Sequence, residues 1–195
     1  MADIELPEML TAAAAVLERT GEIAPVTVTC DRATVLPPVT ISPASRTLPG
    51  AVQRGVVPTI ADAMGWHVRR SSDEDGVSAC GRVGATEVET LVLPLASHPG
   101  DRPGPRRAST AAHAELLRAL VDWSAALPVQ VRALTVAERT ATEHAGGQDS
   151  SALGVRLTVR DHAHVDAVRA EVIVPIDPDR WSGLRGLVMV PTGHT

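Results

Sequence analysis

Lysine, asparagine, phenylalanine and tyrosine are absent from this 195-residue chain. Each absence removes a class of chemistry. Without Lys there is no phosphate-loop lysine, no Schiff base and no lysine general base. Without Tyr there is no tyrosine acid or nucleophile. Without Asn there is no Cys–His–Asn triad and no N-glycosylation site. Trp66, Trp123 and Trp181 are the only aromatics besides seven His, too few for a platform that stacks single-stranded bases. The net charge is −5, so no general phosphate-binding field exists, and nucleic acid is not an expected partner. The missing residues have AT-rich codons, which points to a GC-rich bacterial genome.

Cysteine is nearly absent as well. Cys30 and Cys80 are the only thiols. Two cysteines make no disulfide framework, and two buried free thiols in a reducing cytoplasm are expected. The acidic start, Met1-Ala2-Asp3-Ile4-Glu5, lacks the basic flank of a signal peptide. Its longest apolar run, residues 12–17, is too short for a membrane span. A cytoplasmic protein with no membrane partner is therefore expected.

What is present is Ala, Val, Leu, Arg, Pro and Gly. With 44% hydrophobic residues a core is available, built from aliphatics, and each Trp is expected to anchor it. Leu6, Met9, Leu10, Ala13, Val16 and Leu17 recur at helical spacing and predict a helix over 6–19. Strands are predicted at 26–30 and 35–41, the second interrupted by Pro37-Pro38. A helix over 48–64 should break at Pro58, leaving 59–64 as its firmer piece. Strands are predicted at 66–71, 77–83 and 87–95, the first two joined by an Asp75-Gly76 hairpin signal. Glu87 and Glu89 alternate with Val88 and Thr90, which marks a solvated face.

Residues 98–107 hold the clearest Pro/Gly-rich linker and divide the chain into halves, 1–97 and 108–195. Beyond it a helix is predicted over 109–126, capped by Ser109 or Thr110, with Leu116, Leu120 and Trp123 on one stripe. Strands at 129–138 and 152–160 follow, joined by a polar loop from Thr140 to Ser151. A helix over 161–172 and strands at 172–176 and 184–190 complete the pattern. Each half opens with an apolar helix, a proline (Pro25, Pro128) and an alternating strand. The expectation is an α+β fold of two similar helix–strand–strand–helix–strand halves, with antiparallel or mixed sheets and helices on one face, arising by internal duplication.

The sharpest motif is Asp161-His162-Ala163-His164-Val165-Asp166, after the strand from Val155 to Val159. It resembles the His-x-His-x-Asp-His motif of metallo-β-lactamase-fold hydrolases. The resemblance implies zinc ligation by His162 and His164 and a second zinc at Asp166. It covers six residues, and the family's last His is Ala167 here. On a helix, residues two apart point about 200° from each other, so His162 and His164 could not share a metal. Val165, Val168 and Val172 mark a helical stripe with Asp161 as its N-cap, so a capped helix is the favoured reading.

Other features resolve as surface. Glu143-His144 lies in a polar loop. Arg69-Arg70 and Arg106-Arg107 suit anionic contacts but read as solvated pairs. Asp73-Glu74-Asp75 is too short for a calcium loop. No Gly-x-Ser-x-Gly elbow occurs, and Gly81-Arg82-Val83-Gly84 lacks the helix that a dinucleotide fingerprint requires. The expected role is therefore binding or assembly without chemistry of its own, with no cofactor, through self-association as a homodimer or a protein partner. A metal-dependent hydrolase using His162, His164 and Asp166 is the alternative. A small-ligand sensor, with a pocket between the halves lined by Arg and Trp, is a third reading.

Overall fold

A computed structural model of the chain describes residues 4–32, 37–44, 50–70, 76–92, 109–125, 131–142, 149–159 and 168–175. Helix α1 covers Leu6–Thr20 and is followed by strands β1 (Val26–Asp31) and β2 (Val39–Pro43). Helix α2 (Gly50–Met64) leads to β3 (Val68–Arg70), β4 (Val77–Val83) and β5 (Thr86–Val92). Helix α3 (Thr110–Ala125) precedes β6 (Val131–Thr142), β7 (Asp149–Val159) and β8 (Val168–Pro175). The eight strands form one sheet in the order β3-β4-β5-β2-β1-β6-β7-β8. Every neighbouring pair is antiparallel except β2 and β5, which run parallel. The fold is α+β, with a mixed sheet.

The sheet is continuous across residues 98–107, because β1 pairs with β6 from Val28↔Val136 to Asp31↔Ala133. The linker itself lies outside the described residues. Helix α1 packs against α3 above this central pair. A helix followed by an antiparallel strand pair thus occurs twice, as α1–β1–β2 and α3–β6–β7. The likeness stops there. β5 is parallel to β2, whereas β8 is antiparallel to β7, and α2 separates β2 from β3.

Strand alternation sets the layer boundary. Val26, Val28 and Cys30 are buried, and Thr27, Thr29 and Asp31 point the other way. Val39 and Ile41 of β2, Val88 of β5, Leu134 and Val136 of β6, and Leu153, Val155 and Leu157 of β7 continue the buried side. The expected stripe of α1 is buried entirely, and Ala12 and Ala14 are buried with it. These two alanines extend the stripe on opposite sides, since each residue advances about 100°. The helix carries Pro7 in its first turn and ends at Gly21, whose φ of 74° is left-handed and whose N–H reaches the Leu17 carbonyl at 3.1 Å.

Hydrogen bonds fix α3 to the start of β1. Ser109 Oγ accepts from the Ala112 N–H at 3.0 Å, as an N-cap should. Thr110 Oγ1 accepts from the Ile23 N–H at 3.0 Å, and Glu22 Oε2 accepts from the Thr110 N–H at 3.4 Å. Across the helix surface Arg118 donates to both Glu18 oxygens, at 2.9 and 2.8 Å. This fork holds the Glu18 carboxyl below the usual glutamate range, mainly by hydrogen bonding.

Three sequence expectations are corrected. Helix α2 runs unbroken through Pro58. Proline removes one N–H, so the Arg54 carbonyl loses its donor, but Arg54 is exposed and water can serve it. Burial of Val56, Val57, Ile60 and Ala61 on either side of Pro58 keeps the helix whole. Second, Pro37 and Pro38 precede β2 and do not interrupt it. Third, Val168–Pro175 is a strand, where a helix was expected through residue 172. Pairing with β7, Val159↔Val168 through Ala152↔Pro175, outweighs a valine spacing that fits a helix as well as a strand. The β6–β7 ladder also reaches Thr142↔Asp149, so half of the expected polar loop, residues 140–142 and 149–151, is paired strand.

Trp123 is 7% exposed and belongs to the core. Trp66 is half-buried and packs against both apolar clusters, with its indole lying on Gly81 of β4. A Cβ at position 81 would collide with the indole Nε1 and Cε2. Trp181 lies outside the described residues. Gly81→Val should destabilise the fold by about 1–3 kcal/mol, the usual cost of overpacking. Urea unfolding followed by Trp fluorescence would show it, and an unchanged midpoint would refute the contact. Glu18→Gln should cost less than about 1 kcal/mol, because both partners are over 40% exposed (43% and 47%). The Glu18 pKa is lowered on folding, so its contribution is full above the unfolded value and fades as pH falls through the folded one. The wild type and Glu18→Gln should therefore converge in stability at acid pH.

Candidate functional site

The helices lie on one side of the sheet, and among the described residues no helix packs on the other. Register aligns one side chain from each of six adjacent strands into a row across this second face. Arg156 of β7 stands opposite Thr135 of β6, and Thr135 opposite Thr29 of β1. Thr29 is opposite Thr40 of β2, Thr40 opposite Glu89 of β5, and Glu89 opposite Cys80 of β4. Thr29 and Thr135 are in hydrogen-bond reach, with their hydroxyl oxygens 3.5 Å apart.

The charge distribution on this face is uneven. Its three central strands present Thr27, Thr29, Thr40, Ser42, Ala133, Thr135 and Ala137, all half-buried. Among the residues whose side chains are described, charge enters there at one end, with Asp31 and with Arg132 at the irregularity between Val131 and Ala133. The flanks are charged: Glu87 and Glu89 on β5, Arg69 and Arg82 on β3 and β4, and Arg156 on β7.

Cys80 donates its thiol to Glu87 Oε1 at 3.7 Å. Burial raises the Cys80 pKa, and the Glu87 charge raises it further. Such a thiol is a poor nucleophile at neutral pH. Burial also raises the Glu89 carboxyl, and the charge of Glu87, two residues away on the same face, adds to it. Cys30 faces the helices, fully buried, and its pKa is pushed up to about 12 by desolvation. The two thiols lie on opposite faces of the sheet and are both free, so they do not pair. The expectation of two buried thiols holds for Cys30, whereas Cys80 is only half-buried.

On the helical side, a crevice of about 370 Å³ runs between α1 and the β4–β5 turn. Pro7, Glu8, Thr11, Ala12 and Ala15 form one wall, and Val83, Gly84, Ala85 and Thr86 the other. Thr11 already donates its hydroxyl to the Pro7 carbonyl at 2.8 Å. The crevice belongs wholly to the first 97 residues and contains neither Arg nor Trp.

The sequence-derived candidates are dispersed or outside this frame. His162, His164 and Asp166 lie outside the described residues, as do Glu143-His144, Arg106-Arg107 and Asp73-Glu74-Asp75. Of the helix expected over 161–172, residues 168–172 are strand, and the part that carries the two histidines lies outside the described residues. Among the described residues no group of three His, Cys, Asp or Glu side chains could hold a metal ion. None of the described helices is long and apolar enough to cross a membrane. Arg69 and Arg70 are exposed on β3, as expected. The threonine row was not singled out in the sequence. Its signal is the alternation of Val26–Asp31, but only register places Thr29 between Thr40 and Thr135.

Alkylation should separate the thiols. Native protein treated with iodoacetamide should be modified at Cys80 first, and at Cys30 only after unfolding, as peptide mass spectrometry would report. Glu87→Gln should speed the Cys80 reaction at pH 8, because it removes a charge that holds the proton on sulfur. Equal labelling of both thiols in native protein would contradict this geometry.

No protein-family model, no curated protein and no solved structure matches this chain.

Proposed function

We propose that the chain is a non-catalytic binding or assembly protein, and that it binds through the second face of the sheet. One observation carries this reading: among the described residues the centre of that face is nearly free of charge, and charged residues border it. Interfaces are built this way, with charge depleted at the core and a polar rim around it. Here short hydroxyls and alanines leave the surface low, so another backbone layer can approach closely.

Two further features agree with this. Both cysteines are free, which suits a reducing cytoplasm. The paired arrangement of α1–β1–β2 and α3–β6–β7 suits an internal duplication that has fused two binding units.

Thr29→Glu tests the reading. The residue is half-buried at the centre of the face, so a carboxylate there should leave the fold intact and block docking. Sedimentation velocity should show the wild type, alone or in extract of its native host, migrating faster than a 20.4 kDa monomer. The variant should migrate as a monomer with an unchanged circular dichroism spectrum. A wild type that sediments as a monomer both alone and in extract would overturn the proposal.

A further inference from the structure

We infer that the partner on this face is a second copy of the chain, docked about a twofold axis that runs along β1. The inference rests on the binding reading above and names its occupant. Its basis is the row Arg156–Thr135–Thr29–Thr40–Glu89, one residue from each of five adjacent strands. Thr29 is the midpoint. Glu89 lies two strands to one side and Arg156 two strands to the other, each about 10 Å away at the usual strand spacing.

This spacing is self-complementary. A twofold axis in the contact plane, parallel to β1, carries each strand to the opposite side of the midpoint. β5 of one copy then lies over β7 of the other, and β2 lies over β6. Glu89 meets the partner copy's Arg156, and symmetry makes the same pair a second time. Between the two ion pairs, Thr29 faces its own copy and Thr40 faces Thr135, so the middle of the contact is neutral and small. No like charges meet along the row itself, and at one end of the contact the same axis sets Asp31 facing its own copy, with Arg132 of β6 nearby.

The chemistry of the end groups agrees. Arg156 is exposed and stands opposite Glu171 of β8 in its own chain, and a guanidinium has five donors, so it can serve a carboxylate from another copy as well. Glu89 is half-buried beside Glu87. Arg69 of the same chain offsets part of that like-charge repulsion, and a second cation brought to Glu89 relieves it further. The contact is polar, so the dimer should be of the concentration-dependent, readily dissociating kind.

Charge reversal in two single variants provides the test. Sedimentation equilibrium over a concentration series should show wild-type dimers that weaken as salt rises, because the ion pairs sit at the screened rim. Glu89→Arg and Arg156→Glu should each raise the dissociation constant by about tenfold or more. An equimolar mixture of the two variants should associate again, since Arg at 89 then meets Glu at 156 and the native pair forms on the other side. Circular dichroism of each variant checks the fold, and the salt series needs no variant at all. Wild-type dimers unaffected by salt and by both reversals would overturn the docking geometry and leave the assembly reading standing. A mixture that stays monomeric would also overturn it. A chain that is monomeric in isolation would overturn self-docking, and the extract experiment would then decide the broader reading.

Discussion

The packing of α1 against α3, directly above the β1–β6 pair, is the contact on which the rest of the molecule depends. It joins residues about a hundred positions apart, as Arg118 and Glu18 show, with a sequence separation of 100. It lets one sheet run through the chain on both sides of the Pro/Gly-rich segment. A core without Phe or Tyr cannot fill wide gaps between layers, so it must bring its layers close. Ala12, Ala13 and Ala14 of α1 and Ala112 and Ala114 of α3 are buried and allow this. Leu10, Leu17, Leu116, Leu117 and Leu120 supply the volume, each burial contributing about 1.5–3 kcal/mol. The limited set of residue types thus selects short interlayer distances and a thin, aliphatic core.

This one-sided arrangement has a consequence for function. Among the described residues, three helices on a single side leave the opposite face of the sheet to be managed by its own side chains. The chain does so with hydroxyls at the centre and charges on the flanks. The same parity rule that buries Val28 and Cys30 turns Thr27, Thr29 and Asp31 outward. Core and candidate interface are therefore two faces of one alternation, and a change of register by one residue would exchange them. The two thiols illustrate this. Cys30 is sealed under the helices, and Cys80 sits beside two glutamates on the far side.

The fold was legible in sequence where one period dominated. The stripe of α1, the alternation of β1 and β5, and the capped α3 each satisfy one template and violate the other. Legibility failed where the local pattern allowed two answers. Val168 and Val172 are four apart, which suits a helix, and also an even number apart, which suits a strand; β7 decided between them. Pro58 is a breaker by local rules, yet four buried residues around it hold α2 together. The β6–β7 hairpin outran its predicted length because each added pair satisfies backbone groups that polar side chains alone would not reveal.

By itself, the sequence determined the class of the fold, its aliphatic core, the missing catalytic types and the polarity of each strand's two sides. These follow from composition and from spacing within a few residues. Tertiary structure alone decided the strand order, the union of both sides of the chain in one sheet, and the row from Arg156 to Glu89. That row joins residues from five strands through pairings of long sequence separation. No local signal encodes which strand will lie beside which, because that choice is made by the total burial it permits.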